Sequence, residues 1–211
     1  SSHGLVQYRL DGVKLAAVAF TNLTQDHLDY HADFNDYRSA KLRLFSELAP
    51  EGALAVVNAD SPETPVFEDA ARDAGLKLFS VGWRGADLKI RELSPRATGQ
   101  VMDVLYQGNA YEVHLPLIGE FQALNALTAA GLAIGLGLAP EAVFEAMATL
   151  TTVKGRLELV GEKSGGGAVF VDYAHTPDGL DVLLRAARPH TAGRLIPVSY
   201  THLTLPTRCL G

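Results

Sequence analysis

Apolar and polar positions alternate along this chain in two distinct rhythms. Leu15–Phe20 and Ala53–Asn58 are short, nearly unbroken apolar runs of the kind that form buried parallel strands. Between them, Phe34–Leu48 carries Tyr37, Lys41, Leu44, Phe45 and Leu48 at helical spacing, with Pro50 and Gly52 marking its end. A helix over Thr64–Ala74 and a strand over Leu76–Val81 follow, which completes a βαβαβ order. That order predicts an α/β fold with a mostly parallel sheet and crossover helices.

From Asp87 to Leu117 the pattern changes to alternating short strands, a small antiparallel region. Gly108-Asn109 is the expected turn between Val101–Gln107 and Ala110–Leu117. Helices return at Phe121–Leu136 and at Pro140–Leu150, where Pro140 suits a first helical position. The helical pattern stops across Thr151–Gly155. A new unit follows: a strand at Leu157–Glu162, a turn at Ser164–Gly167, a strand at Ala168–Tyr173 and a helix at Pro177–Ala187. A domain boundary is expected near Gly155, giving units at 1–155 and 156–196.

Composition narrows the class without naming a function. Of 211 residues, 47% are hydrophobic and 20% charged, as in an ordinary globular protein. The formal net charge of -6 argues against a general nucleic-acid binder. No apolar run approaches the roughly 20 residues that span a bilayer, so no membrane insertion is expected. The first residues show no signal-peptide pattern, and the single cysteine, Cys209, excludes an internal disulfide framework. The expected location is cytoplasmic.

Chemistry-bearing residues gather immediately after the first apolar run, in Thr21-Asn22-Leu23-Thr24-Gln25-Asp26-His27-Leu28-Asp29-Tyr30-His31, with Lys41 ten residues on. The ends of such strands are where α/β proteins place their chemistry. His27 and His31, four apart, would share a helix face and could ligate zinc. Asp26 and Asp29 instead suit magnesium, which prefers oxygen ligands, and a capped loop with surface histidines is the plain structural reading. Lys41 shares its stripe with Tyr37, Leu44 and Phe45. The sequence favours a snorkelling lysine there over a desolvated, chemically modifiable one.

Two further motifs need weighing. Gly161–Gly167 is not a phosphate loop, because Glu162 replaces the glycine required before Lys163-Ser164 and a strand follows where a helix is needed. A glycine-rich hairpin turn accounts for it. Val171–Asp178 again ends an apolar run in Asp, Tyr and His before a helix. Asp172 could accept hydrogen bonds from ribose hydroxyls, while Thr176 before Pro177 reads as a helix cap.

Taken in order, Ser1-Ser2-His3, the Phe20–His31 run, Tyr37 with Lys41, Gly119 with Asn125, Gly155-Arg156 and Asp172–Asp178 resemble the Mur ligase family. The resemblance covers about the first 196 residues and is greatest to the branch that adds a diamino acid, meso-diaminopimelate or L-lysine, to a UDP-N-acetylmuramoyl dipeptide. It implies an ATPase-type central domain followed by the start of a Rossmann-like domain. It also implies ATP and Mg2+, with transfer of the γ-phosphate to a carboxylate and attack by the amine on the acyl phosphate. His27 would be a magnesium ligand and Lys41 a carbamylated lysine at the same metal, both catalytic. Ser1, Gln7 and Arg9 match substrate-contacting positions. Asn125, Arg156 and Asp172 match nucleotide-contacting ones, and Gln122 stands where the family usually has asparagine.

The family's Gly-Lys-Thr phosphate loop and UDP-binding domain would precede Ser1, and an amino-acid selectivity segment would follow Ile196. The chain is therefore expected to be an internal fragment that is inactive alone. Residues 197–211 are expected to be a non-native tail, since Val198–Leu203 matches one reading frame of a sequencing-transposon end. Cyanophycin- or folylpolyglutamate-type ligases share motifs like Asp172–His175. A phosphoesterase built on His27, Asp29 and His31, and a non-catalytic binding module, are the readings from other classes.

Overall fold

A computed structural model of the chain describes residues 1–23 and 31–199. A five-residue helix α1 (Ser2–Val6) leads into strand β1 (Ala17–Phe20) and helix α2 (Phe34–Arg43). Strand β2 (Leu54–Asn58), helix α3 (Thr64–Asp73) and strand β3 (Lys77–Gly82) follow. Next come strands β4 (Leu88–Arg96), β5 (Gly99–Tyr106) and β6 (Asn109–Leu115), then helices α4 (Glu120–Gly135) and α5 (Pro140–Met147). Strands β7 (Glu158–Glu162) and β8 (Ala168–Val171), helix α6 (Pro177–Ala187) and a 3-10 turn at Arg188–His190 complete the described order.

The six-stranded sheet runs β1-β2-β3-β4-β5-β6. The pairs from β1 to β4 are parallel, whereas β4-β5 and β5-β6 are antiparallel. Every residue of β2 is buried, because the strand is covered on both faces. Leu54 and Val56 join Phe79, Val81, Leu127, Ala130 and Ile134 in the core beneath α4. Ala55 and Val57 turn the other way, joining Val18, Phe20, Phe45, Phe67 and Ala71 beneath α2 and α3. Phe20 stacks on Phe67 at 3.8 Å between ring centroids. α4 approaches the sheet closely through Gly131, where a Cβ would lie 2.9 Å from Val81 Cγ1 and 3.0 Å from Val56 Cγ1.

Several boundaries differ from the sequence expectation. The helix read as Phe34–Leu48 changes at Leu44 into a π-helical turn, Leu44–Leu48, closed by Ala49 N–H donating to Leu44 O at 3.1 Å. Periodicity carries little information about one extra residue per turn. The hairpin corner is Gln107-Gly108 rather than Gly108-Asn109: Gln107 and Gly108 have φ of 48° and 83°, and Tyr106 pairs with Asn109. α5 stops at Met147, short of Leu150. After Gly155 the expected two strands and helix are present, with β8 ending at Val171 rather than Tyr173. No helix among the described residues is long and apolar enough to cross a membrane.

Candidate functional site

The carboxyl ends of β1, β2 and β3 are tied by a small set of polar side chains. Asn58, buried at the end of β2, donates from Nδ2 to Thr21 O at 2.9 Å and accepts from Asp60 N–H at 3.0 Å. Thr64 Oγ1 donates to Asn58 O. The Asp60 carboxylate in turn accepts from the backbone N–H groups of Trp83 at 2.8 Å and Arg84 at 3.0 Å. Trp83 Nε1 donates to Glu120 Oε1 at 2.7 Å, which places the N-terminus of α4 at the same sheet edge. Sheet ends bound this way present a fixed rim for ligands.

α2 begins at an Asp33 cap, whose side chain accepts from Asp36 N–H at 2.8 Å. Asp36 Oδ2 lies 3.0 Å from His31 Nδ1 and accepts from Ala32 N–H at 3.2 Å. His31 is buried, with its ring centroid 5.2 Å from that of Tyr37 and 6.1 Å from that of His3. It sits in a bend ahead of α2, so the expected shared helix face with His27 is not provided at His31. His27, with Asp26 and Asp29, lies outside the described residues.

Lys41 is one turn beyond Tyr37 and half-buried, with Nζ 5.0 Å from the Tyr37 ring centroid. Its stem lies inward, as the stripe predicts, and no carboxylate among the described residues pairs with it within 4.0 Å. An ammonium cannot ligate a metal, but a carbamate on Nζ would offer the oxygen donors that magnesium prefers. No group of three or more His, Cys, Asp or Glu side chains among the described residues could hold a metal without help.

Arg43, which the sequence reading passed over, fixes the N-terminal segment to α2. Nη1 donates to Leu5 O at 2.8 Å, Nη2 to Asp11 Oδ2 at 2.7 Å and Nε to Glu47 Oε2 at 2.8 Å. The guanidinium also lies 4.3 Å from the Tyr8 ring centroid, and Tyr8 has φ of 57°. The hydrogen bond to Asp11 raises the Arg43 pKa further. Three expected substrate contacts lie on this clamped segment. Ser1 caps α1 by accepting from Gly4 N–H at 3.3 Å, while Gln7 and Arg9 follow the helix with exposed side chains.

The nucleotide-contact candidates gather elsewhere, between α4 and the β7–β8 segment. Asn125 is exposed on α4, and one turn earlier Gln122 Nε2 donates to Arg156 O at 3.4 Å. The Arg156 side chain is exposed. Asp172 accepts from Leu157 N–H at 2.9 Å and from Ala174 N–H at 2.7 Å. A carboxylate has about four lone-pair sites, so acceptor capacity remains for hydroxyl donors. Thr176 caps α6 by accepting from Gly179 N–H at 3.1 Å, as its cap reading expects.

Residues 1–133 match the Mur ligase middle domain, and residues 155–199 match the Mur ligase glutamate ligase domain. A UDP-N-acetylmuramoyl-L-alanyl-D-glutamate--2,6-diaminopimelate ligase of Caulobacter vibrioides is 52% identical over 198 residues, 94% of this chain and 41% of that protein. This chain thus spans about two fifths of the length of that relative. A solved structure of a ligase of the same name superposes with a TM-score of 0.77 at 30% identity, over 90% of this chain and 39% of that one. Mycobacterium tuberculosis folylpolyglutamate synthase complexed with ADP gives a TM-score of 0.67 at 26% identity, over 84% of this chain and 39% of that one. The matched domains, the shared fold and the order of the motifs together establish that this chain belongs to the Mur ligase family.

Proposed function

We propose that this chain is the central and following part of an ATP-dependent amide ligase. The ligase adds meso-diaminopimelate to UDP-N-acetylmuramoyl-L-alanyl-D-glutamate in peptidoglycan synthesis, in the cytoplasm. The observation that carries the reading is the presentation of Lys41 by α2, half-buried and without a carboxylate partner among the described residues, on the helix that Arg43 ties to Ser1–Asp11. The names of the 52%-identical relative and of the superposed ligase favour diaminopimelate over lysine as the added amino acid. They also favour this activity over the folylpolyglutamate reading, whose 26% identity is lower.

In this reading the dipeptide carboxylate takes the γ-phosphate of ATP, and ADP leaves. The amine of the diamino acid then attacks the acyl carbon, the C–O bond to phosphate breaks, and the amine loses a proton. The chain's part is to position polyanions and offset their charge. Ser1, Gln7 and Arg9 hold the UDP-muramoyl substrate. Asn125 contacts the nucleotide, Arg156 its phosphates and Asp172 its ribose, with residues 1–155 and 156–196 as the two units that meet there. Lys41, carrying CO2 on Nζ as a carbamate, and His27 would hold Mg2+. That ion, when bound, supplies charge neutralisation at phosphate oxygens.

A chimera tests this directly. The matched segment of the Caulobacter vibrioides ligase is replaced by residues 1–196 of this chain, and phosphate release is followed with ATP, dipeptide and diaminopimelate. Release that requires all three, and that falls at least a hundredfold in Lys41→Ala with partial rescue by acetate, is the expected result. A folded chimera without coupling, or full turnover in Lys41→Ala, would overturn the reading.

A further inference from the structure

His190 lies far in sequence from the β4–β5 hairpin and from the start of α4, yet its ring meets both. Nε2 accepts from Gly119 N–H at 3.0 Å. Nδ1 lies 2.8 Å from Arg96 O and 3.1 Å from Gly99 O. A backbone N–H only donates and a carbonyl only accepts, so Nε2 must be bare and Nδ1 must carry the proton. One tautomer of the neutral imidazole satisfies all three contacts. An imidazolium would set a second N–H against that of Gly119.

The group held by Nε2 is held on its other side as well. Gln100 Nε2 donates to Gly119 O at 3.0 Å, and both residues are buried. Gly119 caps α4 with φ of 90°, and a Cβ there would meet Ala186 of α6 at 3.1 Å and Phe121 at 3.0 Å. α6 is therefore pressed against the cap residue of α4, and His190 is the polar bond across that contact. The neighbouring charges are otherwise engaged. Arg96 donates to Pro95 O, Glu120 accepts from Trp83, and Arg188 folds back on the Thr191 and Gly193 carbonyls.

We propose that His190, as the neutral Nδ1–H imidazole, is a positioning residue. It fixes the N-terminus of α4 against the α6 segment, and so sets the spacing between Gln122 and Asn125 on one side and Arg156 and Asp172 on the other. That these four face a nucleotide rests on the ligase reading; the latch itself does not. A ring bound to three backbone groups in two segments removes rotational freedom at the contact, as preorganised sites require.

The test uses the full chain with Cys209→Ser, so that spin labels can be placed at Ala129→Cys on α4 and Val182→Cys on α6. Nitrogen NMR of His190 should show a protonated Nδ1 and a bare Nε2 coupled to the Gly119 amide. His190→Phe keeps a planar ring but no hydrogen bond. It should speed Gly119 amide exchange at least about tenfold and broaden the label-to-label distance distribution. His190→Gln, whose amide oxygen can replace Nε2 as acceptor, should recover most of both. A protonated Nε2, or unchanged exchange and distance in a folded His190→Phe, would overturn the proposal. If His190→Phe does not fold, the ring-nitrogen assignment and the glutamine variant decide between these outcomes. None of these readouts involves ATP or amide coupling, so failure of the ligase reading would be seen separately in the chimera.

Discussion

Arg43 shows how a side chain outside every recognisable motif can position a site. Its fork reaches a carbonyl of α1, a carboxylate beyond it and a carboxylate one turn along its own helix. A lysine would keep the charge but could not span these directions. In the chimera, both Arg43→Lys and Arg43→Ala should raise KM for the UDP-muramoyl dipeptide about tenfold while changing kcat much less, because what is lost is uniform binding. An equal loss in kcat at unchanged KM would place Arg43 in the chemical step instead. Nothing in the local sequence marks it, since an arginine near a helix C-terminus is commonplace. Asn58 was counted only as the end of an apolar run, although a polar residue closing such a strand has few reasons to be there unless it bonds across strand ends. Lys41 was legible in direction, because Tyr37 at i−4 defined its stripe.

At the level of elements, apolar runs located β1, β2 and β3, most clearly β2, whose five positions are all buried; Lys77 and Ser80 interrupt the run in β3. α1 escaped notice. Five residues, Ser2–Val6, are too few to show a period, and the helix is held by its Ser1 cap, the burial of Ser2 and Leu5, and the Arg43 bond. The β5–β6 turn was placed one residue late because Gly108-Asn109 resembles a turn dipeptide, whereas the strand pairing makes Gln107-Gly108 the corner. That misfit supplies a prediction. A two-residue hairpin with positive φ at both positions favours Asn-Gly, and glutamine lacks asparagine's tolerance of the left-handed region. Gln107→Asn should therefore stabilise the chain by about 0.5 kcal/mol, seen as a rise of about 1–2 °C in Tm. A fall in Tm would mean that the Gln107 side chain contributes more than its backbone costs.

Across the whole molecule, packing is uneven, and the unevenness follows the chain. The six-stranded sheet carries helices on both faces, and the largest fully buried side chains lie in the sheet and those helices: Phe45, Phe67, Leu88, Ile90 and Met102 among them. β7 and β8 form only a two-stranded ribbon, with Leu159, Val160, Val169 and Val171 exposed. A lone hairpin is marginal in water unless it packs on something else. Here the supports include the bond from Tyr173 N–H to Gly155 O at 2.8 Å, the Asp172 bonds to Leu157 and Ala174, the Gln122 bond to Arg156 O, and the α6 contact at Gly119. Amide exchange should separate two classes as a result. Val56, Val57 and Phe79 should exchange only through global unfolding, with rates that track denaturant with the full unfolding slope. Val169 and Val171 should exchange at least about a hundredfold faster, with little denaturant dependence, through local opening of the ribbon. The hairpin that the glycine-rich turn predicted at β7–β8 therefore says little about its stability, because exposure of its outer face is a property of what packs there. Equal protection in the two classes would show that the contacts at Gly155 and Gly119 bind ribbon, α6 and sheet into one cooperative unit.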